Sequence, residues 1–177
     1  MAAGNSIDLE TDPRSIVATR IFDAPRELVF EVWTDPKHLA QWWGPDGFVT
    51  TVRRLDVRPG GVFEYAMTAM DQDQVEAMKA AGLPLTSIAR GTYTEVVPRS
   101  RLAFTTLADF IPGVAPYEVA ALVEMRAEGK GVRMVVTEDA MHDAEWTQMS
   151  TIGLDQQFNR LGRVLVELNQ GQTEDTE

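Results

Sequence analysis

The sequence predicts an α+β fold in which a curved antiparallel sheet wraps around a long C-terminal helix. Apolar residues recur at every second position in several runs between residues 48 and 139, which is typical of strands with one covered face. Short turns containing glycine or proline separate several of these runs, so neighbouring strands are expected to be antiparallel. A helical pattern follows from Ala144, and about 25 residues of helix, or ~37 Å, are long enough to cross a sheet.

The predicted fold begins with one strand and two short helices. Residues 15–21 are rich in strand-forming residues that alternate in direction. Pro25 marks the start of the first helix, because proline is favoured in the first helical turn, and Asp35 is the predicted N-cap of the second. The apolar residues of these helices are Leu28, Val29, Val32 and Trp33 in the first, and Leu39, Trp42 and Trp43 in the second. The Gly-Pro-Asp-Gly segment at residues 44–47 ends the second helix.

Six further strands are predicted before the last helix. Their alternating runs cover residues 48–57, 62–67, 89–97, 102–107, 117–125 and 132–139. Residues 58–61 and 128–131 have the glycine-rich composition of hairpin turns. Residues 70–84 interrupt the alternation with helix-forming residues, and we predict an inserted helix at residues 74–81. This insertion is either a lid over the sheet or a surface decoration.

One domain is predicted to fill most of the chain. Its 177 residues, of which 44% are hydrophobic, suffice for a single hydrophobic core. We place this domain at residues 14–170, with flexible tails at residues 1–13 and 171–177. The first tail is small and acidic, and the second ends in Glu-Asp-Thr-Glu with no apolar side chains to bury.

Composition and charge argue against several classes of function. The net charge of −11 disfavours nucleic acid, because phosphate binding requires clustered lysine and arginine. No apolar run approaches the ~20 residues of a membrane-spanning helix. The N-terminal residues lack the basic and apolar regions of a secretory signal, so we expect a cytoplasmic protein. The chain has no cysteine and two histidines, His38 and His142, whose spacing from carboxylates predicts no metal site. We expect no cofactor.

Aromatic residues at three places are candidates for ligand contact. Trp42 and Trp43 are adjacent and point about 100° apart on a helix, so one is expected to pack on the core. The other either contacts a ligand or packs on the core as well. The second strand after the helices presents Phe63, Tyr65 and Met67 on one face, which covers either a packed core or an open cavity. The hydroxyl groups of Tyr65 and Tyr93 are placed to orient a ligand carbonyl.

Five motifs resemble a known domain. They are residues 30–36 (Phe-Glu-Val-Trp-Thr-Asp-Pro), 39–45 (Leu-Ala-Gln-Trp-Trp-Gly-Pro), 58–67 (Arg-Pro-Gly-Gly-Val-Phe-Glu-Tyr-Ala-Met), 91–98 (Gly-Thr-Tyr-Thr-Glu-Val-Val-Pro) and 145–148 (Glu-Trp-Thr-Gln). Together they resemble the domain shared with the activators of Hsp90 ATPase homologues, part of the START/Bet v 1-like superfamily, also called SRPBCC. The resemblance extends over roughly residues 14–168.

This resemblance implies a helix-grip fold with a cavity for lipids, polyketides or other hydrophobic molecules. The cavity is expected between the strand face of residues 63–67 and residues 146–158 of the last helix. The expected ligand-binding residues are Trp42, Trp43, Phe63, Tyr65, Met67, Tyr93, Met149, Leu154 and Phe158. Two features depart from the family pattern. Leu154 follows Gly153 where the family usually has tryptophan, and residues 70–84 replace a shorter turn.

Three functions are compatible with the sequence. The first expectation is a carrier or sensor that binds a small hydrophobic molecule. The second is a polyketide cyclase-like or other small-molecule enzyme, in which Tyr65, Tyr93 or His142 would act; its catalytic residues are otherwise unknown. His142 beside Asp143 resembles half of a general-base pair, although sequence neighbours rarely aim at each other, and a surface or helix-capping role is favoured. The third is a protein-interaction module of the chaperone-activator kind. A homodimer is also compatible with the sequence.

Overall fold

The structure is a computed structural model, and it describes residues 8–11 and 14–174. Its strands are β1 (Asp8–Thr11), β2 (Ser15–Phe22), β3 (Phe48–Leu55), β4 (Val62–Ala69), β5 (Thr86–Val97), β6 (Arg101–Ala108), β7 (Tyr117–Glu128) and β8 (Gly131–Asp139). Its helices are α1 (Arg26–Thr34), α2 (Pro36–Trp42), α3 (Gln72–Ala80) and α4 (Ala144–Glu174).

The strands in the described part of the chain form one antiparallel sheet, in the order β1-β2-β8-β7-β6-β5-β4-β3. The strands from β3 to β8 are neighbours in chain order, and β2 pairs with β8, so that Ser15 lies opposite Asp139. A register shift after Val52 interrupts the pairing of β3 with β4, and another after Tyr93 interrupts the pairing of β5 with β6. Such bulges increase the local bend and twist of a sheet. The predicted helix-grip architecture, a curved antiparallel sheet around a long C-terminal helix, is confirmed.

The core lies between the inner face of the sheet and the helices α1, α2 and α4. Alternate side chains of β2 and β8 point into it, and those that are buried include Ile16, Ala18, Phe22, Val132, Met134 and Val136. Leu154, Phe158, Leu161, Val164 and Leu165 form the buried stripe of α4. This helix contacts β2, α1 and α2. It therefore covers the part of the sheet where the first long strand meets the last.

A buried ion pair ties α4 to the sheet. Arg20 points inward from β2, and its side chain is 1% exposed. Its Nη2 lies 2.9 Å from Oδ1 of Asp155, and its Nη1 donates a hydrogen bond of 3.1 Å to Oδ1 of Asn159. Burial lowers the pKa of Arg20, while the charge and hydrogen bond of Asp155 act in the opposite direction. Since a buried charge is costly without a partner, Asp155 is needed to keep Arg20 in the core.

The two short helices follow the predicted order. Asp35 is the N-cap of α2, because its Oδ1 accepts hydrogen bonds of 2.9 and 3.1 Å from the backbone N–H groups of Lys37 and His38. Pro25 directly precedes α1. The inserted helix α3 begins at Gln72, earlier than predicted, and none of its side chains is buried. Its burial pattern is that of a surface helix.

Two elements, β1 and α4, extend into the segments predicted to be tails, residues 1–13 and 171–177. Residues 8–11 form β1, in which Asp8 lies opposite Thr19 of β2, because the edge of β2 offers unpaired backbone groups to another strand. The last helix continues to Glu174, beyond the predicted boundary at residue 170, since helical backbone groups are satisfied within the helix without burial of side chains. The remaining tail residues, 1–7, 12–13 and 175–177, lie outside the described residues.

Candidate ligand-binding site

A recess opens between α2 and the half of the sheet formed by β3 to β6. It is lined by Trp33, Leu39, Trp43, Val52, Arg54, Leu55, Phe63, Glu64, Tyr65, Tyr93 and Phe104. Most of these side chains are aromatic, and we call the site the aromatic recess. Its open volume is about 20 Å³, which is room for about one water molecule. The recess is thus nearly filled by its own walls.

The back wall of the aromatic recess consists of side chains on the inner face of β4, beside a glycine of β5. Phe63 and Tyr65 are buried on the inner face of β4. Tyr65 lies opposite Val52 of β3. On the other side, Phe63 lies opposite Gly91 of β5. A Cβ atom at Gly91 would overlap the Phe63 ring and the backbone oxygen of Thr105. The glycine therefore leaves the space that the Phe63 ring occupies.

Edge-to-face contacts hold the aromatic walls together. The rings of Trp43 and Tyr65 lie 5.7 Å apart at an angle of 76°. Phe63 and Phe104 lie 5.5 Å apart at 90°, and Trp43 also contacts Trp33 at 5.6 Å. Each such pair stabilises a fold by about 0.5–1.5 kcal/mol beyond the burial of its surface. The walls are therefore a packed cluster in which one ring constrains the next.

The structure separates the two adjacent tryptophans. Trp42 is fully buried, and its indole N–H donates a hydrogen bond of 2.8 Å to the backbone oxygen of Val32. Its ring also packs 6.3 Å from Phe158 of α4. Trp43 is half-buried and lines the aromatic recess. Trp42 thus belongs to the core, and Trp43, which directly follows α2, is the tryptophan of this pair that lines the recess.

The loop after Trp43 is clamped by the last helix. The backbone oxygen of Trp43 accepts a hydrogen bond of 2.6 Å from the Thr50 hydroxyl. The backbone N–H of Gly44 donates to Oε1 of Gln157 at 3.1 Å, and Nη1 of Arg160 donates to the Gly44 oxygen at 2.9 Å. Gly44 has a φ of 100°, in the left-handed region that favours glycine. These bonds fix the backbone at one wall of the aromatic recess.

Two tyrosine hydroxyls provide polarity within the apolar lining. Burial raises the pKa of Tyr65 to about 12, while the hydrogen bond with the Trp43 side chain acts in the opposite direction. Burial also raises the pKa of Tyr93. Both phenols therefore remain protonated at neutral pH, so they suit the role of neutral hydrogen-bond donors rather than that of bases.

Four of the nine predicted ligand-binding residues line the aromatic recess. They are Trp43, Phe63, Tyr65 and Tyr93. Five others lie elsewhere: Trp42, Leu154 and Phe158 are buried in the core, Met67 is half-buried near Gly44, and Met149 is 46% exposed. The recess thus lies nearer to α2 than the predicted position beside residues 146–158. The reason is that Leu39 of α2 and the next tryptophan, Trp43, cover this part of the sheet, while α4 packs on β2, α1 and α2.

One inward-facing acid was not among the predicted site residues. Glu138 continues the inward alternation of Val132, Met134 and Val136 in β8, and this alternation is the signal that would have found it. It is half-buried, and its Oε1 accepts a hydrogen bond of 3.0 Å from the hydroxyl of Ser150 in α4. Burial raises the pKa of Glu138 to about 7; the Ser150 hydrogen bond lowers it and the charge of Asp139 adds to the rise.

The contact between His142 and Asp143 corrects an expectation from the sequence. The two neighbours do aim at each other, with His142 Nε2 3.2 Å from Asp143 Oδ2. The other imidazole nitrogen, Nδ1, lies 3.1 Å from the hydroxyl of Tyr117. Asp143 also caps α4, because its Oδ1 accepts a hydrogen bond of 2.8 Å from the Trp146 backbone. The helix cap, the imidazole and the phenol therefore form one chain of polar contacts.

The described residues form neither a metal-binding cluster nor a membrane-spanning helix. Among residues 8–11 and 14–174, no group of three or more His, Asp or Glu side chains is arranged to hold a metal ion. Within the same residues, no helix has both the length and the apolar character needed to cross a membrane.

The curved antiparallel sheet, the long terminal helix and the apolar recess define a helix-grip protein. Residues 23–166 match the sequence pattern of the family described as Activator of Hsp90 ATPase homolog 1-like protein. The chain therefore belongs to this family, in agreement with the SRPBCC superfamily that its motifs indicated. No curated protein matches the chain.

Solved structures share this fold. A protein from Chromobacterium violaceum is 25% identical with a TM-score of 0.72, over 87% of this chain and 98% of that one. A protein from Mycobacterium smegmatis is 22% identical with a TM-score of 0.71, over 92% and 99% of the two chains. The AHSA1-like protein from Aeromonas hydrophila is 22% identical with a TM-score of 0.67, over 88% and 94%.

Proposed function

We propose that this protein binds a small, mainly apolar molecule with an aromatic group in the aromatic recess. The observation that supports this function is a lining of aromatic side chains that includes two tyrosines. Small-molecule sites are typically concave and apolar, with a few polar groups that orient the ligand. Tyr65 and Tyr93 are such groups, and as neutral donors they suit a carbonyl or ether oxygen of the ligand.

Binding in this recess requires its walls to move. Its open volume of about 20 Å³ is far below the ~300 Å³ at the lower end of small-molecule sites. Trp43, Val52 and Leu55 are half-buried, whereas Phe63 and Tyr65 are buried. We infer that the ligand displaces the half-buried side chains of Trp43 and β3 while the back wall stays in place.

A pair of matched substitutions in β3 tests this proposal. Val52 lines the aromatic recess, whereas Val49 on the same strand is 52% exposed. Val52→Phe fills the recess, and Val49→Phe adds the same atoms on the surface. A panel of neutral aromatic alcohols, screened by thermal shift because a ligand of the native state raises its stability, supplies the probe. Binding of the best probe is then measured by calorimetry and by tryptophan emission.

The expected result is a loss of affinity in one variant alone. Val52→Phe should weaken binding of the probe by about tenfold or more, because the phenylalanine side chain would occupy the space that the probe needs. Val49→Phe should bind like the wild-type protein. The proposal is wrong if no aromatic alcohol binds the wild-type protein, or if both variants bind the probe equally well.

A further inference from the structure

Glu138 lies in an unusual environment for a carboxylate. Its cross-strand partners on the inner face are Ile16 of β2 and Ala121 of β7, both buried. The preceding inward residue of β8 is Val136, which is also buried. An acid is therefore surrounded by apolar side chains at the end of the inner face. Such a position is costly for a charged group unless something pairs with it.

The partner that Glu138 has in the protein is a neutral one. Ser150 of α4 donates a single hydrogen bond of 3.0 Å to Oε1. The other inward charge in this core, Arg20, is paired with Asp155 at 2.9 Å. Among the described residues, none of the ion pairs includes Glu138. Glu138 is also half-buried rather than fully buried.

The part of α4 that carries Ser150 also has open space at Gly153. Gly153 follows Ser150 by nearly one turn of α4 and is half-buried. A Cβ atom placed on Gly153 would meet no heavy atom within 4 Å. The negative charge of Glu138 also contributes to the raised pKa of Tyr65 in the aromatic recess. The acid and a tyrosine that lines the recess are therefore close enough to interact electrostatically.

We propose that Glu138 and Ser150 are an anchor for a protonated amine carried by the apolar ligand. The proposal rests on the function proposed for the aromatic recess and adds the polar half of the ligand. The amine would donate a charge-assisted hydrogen bond to the Glu138 carboxylate, which is stronger than a bond between neutral groups. Ser150 would hold the carboxylate in position. The ligand class is thus an aromatic or otherwise apolar molecule with a primary amine.

Matched probes separate this proposal from the one on which it rests. The probes are 2-naphthyl alkylamines with linkers of increasing length, each compared with the alcohol of the same length. Titration calorimetry is performed at pH 8, where Glu138 is ionised and a primary aliphatic amine is still protonated. The wild-type protein should prefer at least one amine over its alcohol by about tenfold or more.

Two glutamine variants identify the source of that preference. Glu138→Gln removes the charge but retains an oxygen that can accept the Ser150 hydrogen bond, so it should abolish the preference for the amine while the alcohol still binds. Glu118→Gln removes the same charge from an exposed position of β7, and it should leave the preference unchanged. This control accounts for general attraction of a cation to a protein of net charge −11. Circular dichroism checks that both variants are folded.

The outcomes are distinguishable. If the wild-type protein binds the alcohols and binds no amine more tightly than the matching alcohol, the proposed anchor is wrong, while the proposal that the aromatic recess binds a ligand still holds. If Glu138→Gln keeps the amine preference, or if Glu118→Gln loses it to the same extent, the anchor is likewise wrong. If neither amine nor alcohol binds, the proposed function fails and the anchor fails with it.

Discussion

Replacing Glu138 by glutamine has a calculable effect on the stability of the fold. Burial raises the pKa of this carboxyl from 4.5 to about 7. In the unfolded chain the carboxyl ionises near its ordinary pKa. At a pH between 4.5 and about 7, the carboxyl of the folded protein therefore keeps a proton that the unfolded chain has lost. Stability therefore falls as the pH rises through this window. At 1.36 kcal/mol for each pH unit, the full penalty above pH 7 is about 3 kcal/mol.

Glutamine does not ionise, and it can accept the Ser150 hydrogen bond in place of the carboxylate. Glu138→Gln should therefore match the wild-type protein near pH 4.5 and exceed its unfolding free energy by up to about 3 kcal/mol at pH 8. Since 1 kcal/mol shifts the melting temperature of a protein of this size by about 2–4 °C, the variant should melt roughly 6–12 °C higher at pH 8.

Urea unfolding of both proteins at several pH values from 4.5 to 8 measures this effect. The groups that act on Glu138 are Ser150 from α4 and Asp139 beside it, and the charge of Glu138 in turn raises the pKa of Tyr65. Tyr65 does not titrate in this window, because its pKa is about 12. Glu64 and Glu128 have lowered pKa values and are common to both proteins, so their effects cancel. A stability difference that does not change with pH would refute the reasoning.

Substitutions at three further contacts test other parts of the fold. Asp155→Ala leaves Arg20 buried without its carboxylate and should cost about 3–5 kcal/mol in urea unfolding, whereas Arg20→Met should cost less because no buried charge is left behind; equal losses would contradict this reading. Gly91→Ala forces a methyl group into the Phe63 ring, and a loss below ~1 kcal/mol would mean that the ring relaxes freely. Asp143→Ala removes the cap of α4 and should cost about 1 kcal/mol, while Asp143→Asn retains the acceptor that bonds the Trp146 N–H; thermal melts that rank the two variants in the opposite order would contradict the capping role.

The order of strands and helices was predictable because each element has a local signal. The two-residue period of β4 and the Asp35 cap of α2 depend on residues that are close in the chain. β1 was not predictable in the same way, because it is defined by pairing with β2 rather than by an alternation of its own. Similarly, the sequence near Glu174 carries no signal that would place the end of α4 there.

The site was predictable in its residue types and less so in its position. Phe63, Tyr65 and Tyr93 could be predicted from strand alternation and from the sequence motifs, and in the structure they line the aromatic recess. The position of the recess depends on how α2 and α4 divide the inner face of the sheet, which is a tertiary property. Glu138 was within reach, because β8 alternates without interruption up to it. A half-buried acid at the end of a strand is easily taken for the start of a polar turn.

The pairing of β2 with β8 also has a consequence for the timing of folding. Apart from β1, the only neighbour of β2 in the sheet is β8, and Phe22 lies opposite Val132. Closing a loop on the order of 100 residues long has an entropic cost. The contacts between β2 and β8 that offset this cost are non-local and form late. During synthesis β3 to β7 can pair as they emerge, whereas β2, made before them, must wait for β8. The first long strand of the chain is therefore among the last to become fixed, and a chain interrupted before β8 leaves its inner face open.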